Sequence, residues 1–427
     1  MSDHPFDIAI VGAGMVGASL ALACADAGWR IAVIEPAAPA EPDPGSEPEL
    51  RVSALSAGSE AWLRKLGVWD TMAKHRMAPF QSLSVWETPS GPLRVLPGGR
   101  RLARGARTTF EAHRLQRSHL GHIVENGITR HALWEHLARH DHVHLFCPSS
   151  LEALEQRGDS VSLGLGDGET VTAGLVVGAD GANSLTRKLA GIGTTKDQYR
   201  QQAMVINVRH EPPQQTMTWQ MFTPDGPRAY LPLADAAGSS WGSLVWYDQP
   251  ENLDELMALD EPGLMAAIRR AFPLDLPDLE AAPARGRFPI AREHAHQYFR
   301  DRVVLIGDAA HTINPLAGQG VNLGFQDAAC LGGLLGGAGQ NVTDPGNAAL
   351  LAQYEGNRRP RNRLMMEVMD LFYRFFSNNQ PPLHLARNIG LGLAGNLPFA
   401  RDQVARYAMG IDETLPAPVE SLLNRLA

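Results

Sequence analysis

Gly12, Gly14 and Gly17 have the spacing that lets a chain turn tightly, brings a diphosphate against backbone N–H groups and packs the next helix close to its strand. Glu35 ends the following strand-like run, where a carboxylate accepts ribose hydroxyls and so favours an adenine dinucleotide without a 2′-phosphate. Two more acids stand where apolar runs end: Asp180 in "LVVGADGANS" and Asp308 in "LIGDAAHTINP". An acid at a buried strand's carboxyl end can orient ligand hydroxyls, although Asp-Gly alone also makes a good turn. Beyond Asp308, "LAGQGVNLGFQD" brings Gly318, Gly320 and Gly324 to the start of a helix-like stretch. Glycines there allow close backbone approach, and a helix N-terminus favours negative charge.

The elements that must position these residues can be read coarsely. "DIAIVGAGMVGASLALACADAGWRIAVIE" divides into strand, glycine turn, helix and strand, one βαβ unit. Residues 36–48, rich in Pro, Ala and acids, form a connection, and helical spacing resumes from Ser53 to Leu66. Strand-like "SLSVWE" and "AMVINVRH" flank the helical "GITRHALWEHLARH", so the chain leaves its first domain and returns. Between Gln198 and Pro289, alternating patches such as "MTWQMF" and "WGSLVWYD" suit an antiparallel sheet with one exposed face. "RVVLIGDAA" is a further buried strand, and the chain from Asn347 onward is mostly helical.

At 427 residues and 44% hydrophobic, the chain is long enough for two domains. Its formal charge of −8 argues against a nucleic-acid partner. Cys24, Cys147 and Cys330 are odd in number and lack CxxC spacing, which fits a reducing cytoplasm better than a disulfide framework or a zinc site. Neither a signal peptide nor an uninterrupted apolar span is expected, so any membrane contact would be peripheral.

Taken in order, the GxGxxG with its strand-end Glu35, "GADGANS" and "GDAAHTINPLAGQGVNLGFQD" resemble the FAD-dependent aromatic hydroxylases of the para-hydroxybenzoate hydroxylase fold. "RVSALSAGSEAWLRKLGVW", "HLGHIVENGITRHALWEHL" and "YEGNRRPRNRLMMEVMDLFYRFFS" are similar to the ubiquinone-biosynthesis hydroxylases of that superfamily. The resemblance implies an α/β fold: a Rossmann-type FAD-binding domain, an inserted antiparallel β-sheet substrate domain and a helical C-terminus. The expected division gives residues 1–75, 111–190 and 287–360 to the FAD-binding domain, 76–110 and 191–286 to the substrate domain, and 361–427 to the C-terminal segment.

Residue by residue, the resemblance gives Gly12, Gly14 and Gly17 the diphosphate, Glu35 the adenosine ribose, and Arg51 the phosphates or ribityl chain. Asn126 falls beside the ribityl chain, Asp180 in a motif touching both FAD and the reductant, and Asp308 on the ribityl hydroxyls. Gly320, Val321 and Asn322 offer backbone to the flavin ring, and Pro315 lies near its reactive face. The cofactor implied is FAD, with NADH or NADPH as a transient reductant and O2 as co-substrate. The substrate implied is a polyprenylated phenol or quinol, met in the cytoplasm, with possible peripheral contact at the inner membrane or with a ubiquinone-biosynthesis assembly. A hydroxylase of a small soluble phenol and a non-catalytic flavin-binding scaffold are the alternatives. No Ser/His/Asp constellation is needed, because the cofactor carries the difficult step, and no catalytic side chain is named.

Trp219, Phe222, Trp241 and Trp246 are candidates for an apolar pocket wall, though such aromatics are commonly core. His311 fits a turn histidine bonded to backbone, and His136, His140, His142 and His144 a solvated face more than a metal site. The basic runs "GGRRLARGAR" and "RRPRNR" fit a wet surface, with attraction to anionic lipid as the alternative. The apolar "LMMEVMDLFYRFF" and "IGLGLAGNLPFA" suit packing on the first domain or a seat at a lipid interface.

Overall fold

The structure, a computed structural model, describes residues 5–87, 107–273, 276–314, 320–337 and 342–376. The chain begins with β1 (Phe6–Val11), α1 (Met15–Asp26) and β2 (Ile31–Ile34). Then come β3 (Val52–Ser56), α2 (Ala57–Lys65), α3 (Trp69–Met72), β4 (Met77–Phe80), β5 (Ser82–Glu87) and β6 (Thr108–Glu111). β7 (Gly121–Glu125) leads into α4 (Asn126–Ala138), β8 (Val143–Phe146), β9 (Leu151–Arg157), β10 (Ser160–Leu165) and β11 (Thr170–Gly178). The short α5 (Leu185–Leu189) precedes four long strands and two helices: β12 (Thr194–His210), β13 (Met217–Phe222), β14 (Arg228–Ala236), β15 (Ser239–Asp248), α6 (Pro250–Ala258) and α7 (Glu261–Ala271). β16 (Leu279–Ala295), β17 (Phe299–Arg300), β18 (Val303–Leu305), β19 (His311–Thr312), α8 (Gly320–Leu335) and α9 (Ala348–Phe376) complete the order.

The first sheet runs β17-β18-β11-β1-β2-β8, with the β9–β10 hairpin continuing from β11. β8, β2, β1, β11 and β18 are mutually parallel. Strands such as "IAVI" and "VVL" are buried throughout, as a parallel sheet covered on both faces requires. Helix α1 lies close to this sheet because Gly17 has no side chain: a Cβ there would stand 2.0 Å from the Gly12 carbonyl oxygen. It also packs on α4 and on α8, where Gly332 sits against Leu20 and Ala23.

The second sheet runs β19-β16-β12-β15-β14-β13-β5-β6 and is antiparallel except where β13 meets β5. One face carries Met204, Ile206, Val208, Trp219, Leu244 and Trp246, covered by Leu253, Leu264, Ile268 and Phe272 of the α6–α7 segment. The opposite face turns toward the first sheet's elements. There Tyr247 donates to Asn314 Oδ1 at 3.4 Å, and Asn207 Nδ2 donates to the Pro48 carbonyl at 2.7 Å. A third, small antiparallel sheet, β3-β7-β4, joins the two: its Phe80 and Ile123 pack with Leu233 and Trp241.

Candidate active site

The glycine loop after β1 leaves the N-terminus of α1 open. Gly14 caps the helix without any side-chain hydrogen bond, and a Cβ at Gly14 would meet nothing within 4 Å. The helix end therefore presents unsatisfied N–H groups to free space, the arrangement that holds a diphosphate. Glu35, buried at the end of β2, accepts from the Ala13 N–H through Oε2 at 2.7 Å. Its Oε1 has weaker company, Ala37 N–H at 3.4 Å and Arg130 at 4.0 Å, which leaves that oxygen able to take a ribose hydroxyl.

The second motif lies against the first. Gly12, at φ +100°, has its missing Cβ 2.5 Å from the Ala179 carbonyl oxygen and 3.1 Å from Asp180 Cα, so only glycine lets the two loops meet. Both oxygens of Asp180 are engaged locally, Oδ1 by the Ser184 hydroxyl and Oδ2 by the Thr186 N–H and hydroxyl. Its first task is to shape this loop and begin α5. Arg187 then fastens the second motif to the third. Buried, it donates to the Ala309 carbonyl at 2.8 Å and to Glu293 of β16 at 2.8 Å.

Asp308 differs from Asp180. It follows β18 in a single 3-10 turn, Gly307–Ala309, and among the described residues its carboxylate has no hydrogen-bond partner. One side is open to water, yet enough protein surrounds it that desolvation raises its pKa; nearby Asp327 adds to the rise and His311 opposes it. A hydroxyl-bearing ligand laid over the turn would supply the missing donors.

Beneath Asp308 lies a buried network. Asp327, with no exposure, accepts from the Gly307 N–H (3.1 Å) and His311 Nε2 (2.5 Å) through one oxygen, and from Arg358 Nε (2.8 Å) and Asn362 Nδ2 (2.9 Å) through the other. Burial alone would raise its pKa, but His311 and Arg358 outweigh that and hold it far below the usual carboxylate range. Asn362 passes the network on to Tyr298, and Tyr298 to His294. His311 is thus bonded to a carboxylate, not to backbone as its sequence context suggested. Arg358, the first residue of "RRPRNR", is 4% exposed and serves Asp327 from within, so that basic run is only partly a wet surface.

The start of α8 faces the same region. Asn322 Oδ1 accepts from the Ser56 N–H and the Ser59 hydroxyl, and its Nδ2 donates to the Ala54 carbonyl, which ties the helix start to β3 and α2. The Asn322 side chain is therefore occupied by the protein itself. A Cβ at Gly320 would meet one atom, Ile313 Cγ1, at 4.0 Å. Pro315 lies outside the described residues. Arg51 and Asn126 stand together at the ends of β3 and β7: the Asn126 N–H donates to the Arg51 carbonyl at 2.9 Å, and the Ser53 hydroxyl to Asn126 Oδ1 at 2.7 Å. The Arg51 side chain is exposed.

Opposite these motifs, register sets Val205, Ala229, Leu231 and Val245 side by side on the inward face of the second sheet, only half-buried. Phe222 shares that face by alternation, whereas Trp219 and Trp246 point away into the core under α6 and α7, and Trp241 packs on the small sheet. Among these apolar residues, Asn207 and Ser243 stand opposite each other, and Asn207 Oδ1 and Ser243 Oγ have no hydrogen-bond partner among the described residues.

The open start of α1, the strand-end acids Glu35 and Asp308 and the start of α8 are the arrangement expected of a flavin-binding domain. The chain matches the FAD binding domain family over residues 5–368 and belongs to it. It is 43% identical to the 3-demethoxyubiquinol 3-hydroxylase of Escherichia coli (strain K12), over 96% of this chain and all of that protein. It is 34% identical to the ubiquinone hydroxylase UbiL of Rhodospirillum rubrum, over 98% of this chain and 92% of that one. In fold it is similar to the p-nitrophenol 4-monooxygenase PnpA of Pseudomonas putida DLL-E4, with a TM-score of 0.71 at 18% identity over 94% of this chain and 96% of that one.

Proposed function

We propose that this chain is an FAD-dependent monooxygenase that hydroxylates the aromatic ring of a polyprenylated ubiquinone precursor. The observation that carries the reading is the convergence of three distant motifs on one cradle, in a chain whose full-length relatives carry the names of ubiquinone hydroxylases. Bound FAD supplies hydride acceptance from NADH or NADPH and activation of dioxygen. The chain's own residues bind, orient and dry the site. The α1 N-terminus with Gly12 and Gly14 takes the diphosphate, Glu35 a ribose hydroxyl, Asp308 a ribityl hydroxyl, and Arg51 and Asn126 flank the chain between them. The N–H groups opening α8 favour negative charge on the reduced ring, worth about 0.3 to 2 kcal/mol.

Val205, Leu231, Phe222 and Val245 keep water from the reacting ring. The unpartnered oxygens of Asn207 and Ser243 offer hydrogen-bond acceptors for a phenolic hydroxyl on that wall. Such a division assigns residues 1–75, 111–190 and 287–360 to cofactor binding, and 76–110 with 191–286 to the substrate wall.

Among the described residues no helix is long and apolar enough to cross a membrane. An isoprenoid tail nevertheless has to arrive from a bilayer or a carrier, and this reading puts the protein in peripheral contact with the inner membrane or a biosynthetic assembly. Quinone profiling of a strain lacking the protein tests it. Ubiquinone falls and a prenylated precursor lacking a ring hydroxyl accumulates; unchanged quinones in a strain without a redundant hydroxylase would refute the assignment.

A further inference from the structure

Where α2 meets the start of β7, side chains from two separate parts of the chain come together. Glu60 lies in the first turn of α2, His122 near the start of β7, and His119 just before that strand. His119 Nε2 is 2.8 Å from Glu60 Oε2, and His122 Nδ1 is 3.4 Å from the same oxygen. The three donor atoms all lie within 4.8 Å of one another. We propose that Glu60, His119 and His122 form a binding site for a divalent cation of the zinc type.

The geometry has the parts such a site needs. His122 is 9% exposed, and its Nδ1 is fully buried, points at the cluster and has no hydrogen-bond partner among the described residues. A buried polar atom without a partner is uncommon and costly, and a cation would satisfy it. Ligands at about 2.0 to 2.1 Å around a tetrahedral ion stand roughly 3.3 Å apart, a separation between those observed here. Two imidazoles and a carboxylate leave a fourth position for water, a donor set that suits zinc.

The outer partners are also in place. Ser118 Oγ is 2.9 Å from His119 Nδ1, so the ring can turn its Nε2 lone pair inward while Nδ1–H is held by the hydroxyl. Arg64 holds the other Glu60 oxygen at 2.9 Å and fixes the carboxylate's direction. Its positive charge opposes a cation, but its head is half exposed and lies 4.9 Å over the Trp69 ring, where water screens it. Trp69 packs edge-on against the His122 ring at 5.0 Å and so fixes its orientation. Ser59, beside Glu60, is bonded to Asn322. A bound ion would therefore brace α2 against β7 at the point where α2 steadies the start of α8.

The test uses the FAD-loaded protein, stripped with a chelator and titrated with Zn2+ and then with Co2+. Expected are one equivalent of metal per chain, visible d–d bands of a tetrahedral cobalt site, and X-ray absorption showing two imidazole ligands in the unmodified protein. His119→Ala, His122→Ala and Glu60→Gln should each weaken binding about tenfold or more, while His136→Ala and His140→Ala leave it unchanged. Absence of stoichiometric binding, cobalt without imidazole ligands, or binding indifferent to all three substitutions would overturn the site and leave a Glu–His hydrogen bond in its place. The X-ray absorption result decides the matter even if a variant does not fold.

Discussion

Gly14 and Gly17 belong to one motif but differ in what surrounds them. A Cβ on Gly14, whose φ is −62°, meets no atom, whereas one on Gly17 would collide with the Gly12 carbonyl at 2.0 Å. Gly14→Ala should therefore leave the stability of the FAD-free protein unchanged or slightly raised, yet weaken FAD by about tenfold or more, since the added methyl fills the space the diphosphate needs. Gly17→Ala should cost about 1 to 3 kcal/mol of stability whether or not FAD is present. Denaturant unfolding with a flavin-fluorescence titration separates the two outcomes, and equal behaviour of both variants would contradict the assigned roles. Asp308→Ala should weaken FAD by about 1 to 3 kcal/mol without loss of folding, because its carboxylate has no protein partner among the described residues; unchanged affinity would remove it from the site. The placement of these residues, in a glycine turn and at a strand end, was legible in the sequence because it depends on backbone spacing and on where apolar runs stop. The part played by Asp327 was not, since its partners Gly307, His311, Arg358 and Asn362 are assembled only by tertiary packing.

At the scale of elements, the buried network joins β16, β19, α8 and α9. Asp327→Asn leaves Arg358 buried beside a neutral amide and should cost about 3 to 5 kcal/mol, read as a lower unfolding midpoint. His294 gives the network a pH dependence. Burial first, then the charges of His311 and nearby arginines, lower its pKa from 6.5 to about 4. Between those values the unfolded chain binds more protons than the folded one, so stability rises with pH and is lost on acidification from about 6.5 toward 4. His294→Gln should flatten that decline by about 1 kcal/mol, the full linkage being reduced because the ring is partly open to water. Thermal unfolding across this range checks it, and an unaltered slope would show that another group titrates. Period-two patterning predicted the second sheet, but it does not say which face a helix covers. Trp219 and Trp246 were pocket candidates on composition and proved to lie under α6 and α7. "RRPRNR" read as solvated because charge favours water, and its Arg358 is inside because Asp327 compensates it.

For the whole molecule, the βαβ opening and the apolar strands were evident because parallel strands buried on both faces are written as continuous apolar runs. The order β8-β2-β1-β11-β18 and the bridging role of the small sheet were not, because they follow from contacts between segments far apart in the chain. The site exists only as the product of that assembly: Gly12 against Ala179, Arg187 to Ala309, and Asn322 to β3 bring its parts together. The metal proposal is independent of this, and its failure would leave the oxygenase assignment intact. The most direct measurement of that assignment is to supply the FAD-loaded protein with NADH or NADPH, isotope-labelled dioxygen and a short-chain demethoxyubiquinol, then weigh the product by mass spectrometry. A new ring hydroxyl carrying the label, lost when FAD is removed, is the predicted result; reductant consumed with no labelled oxygen in the ring would contradict it.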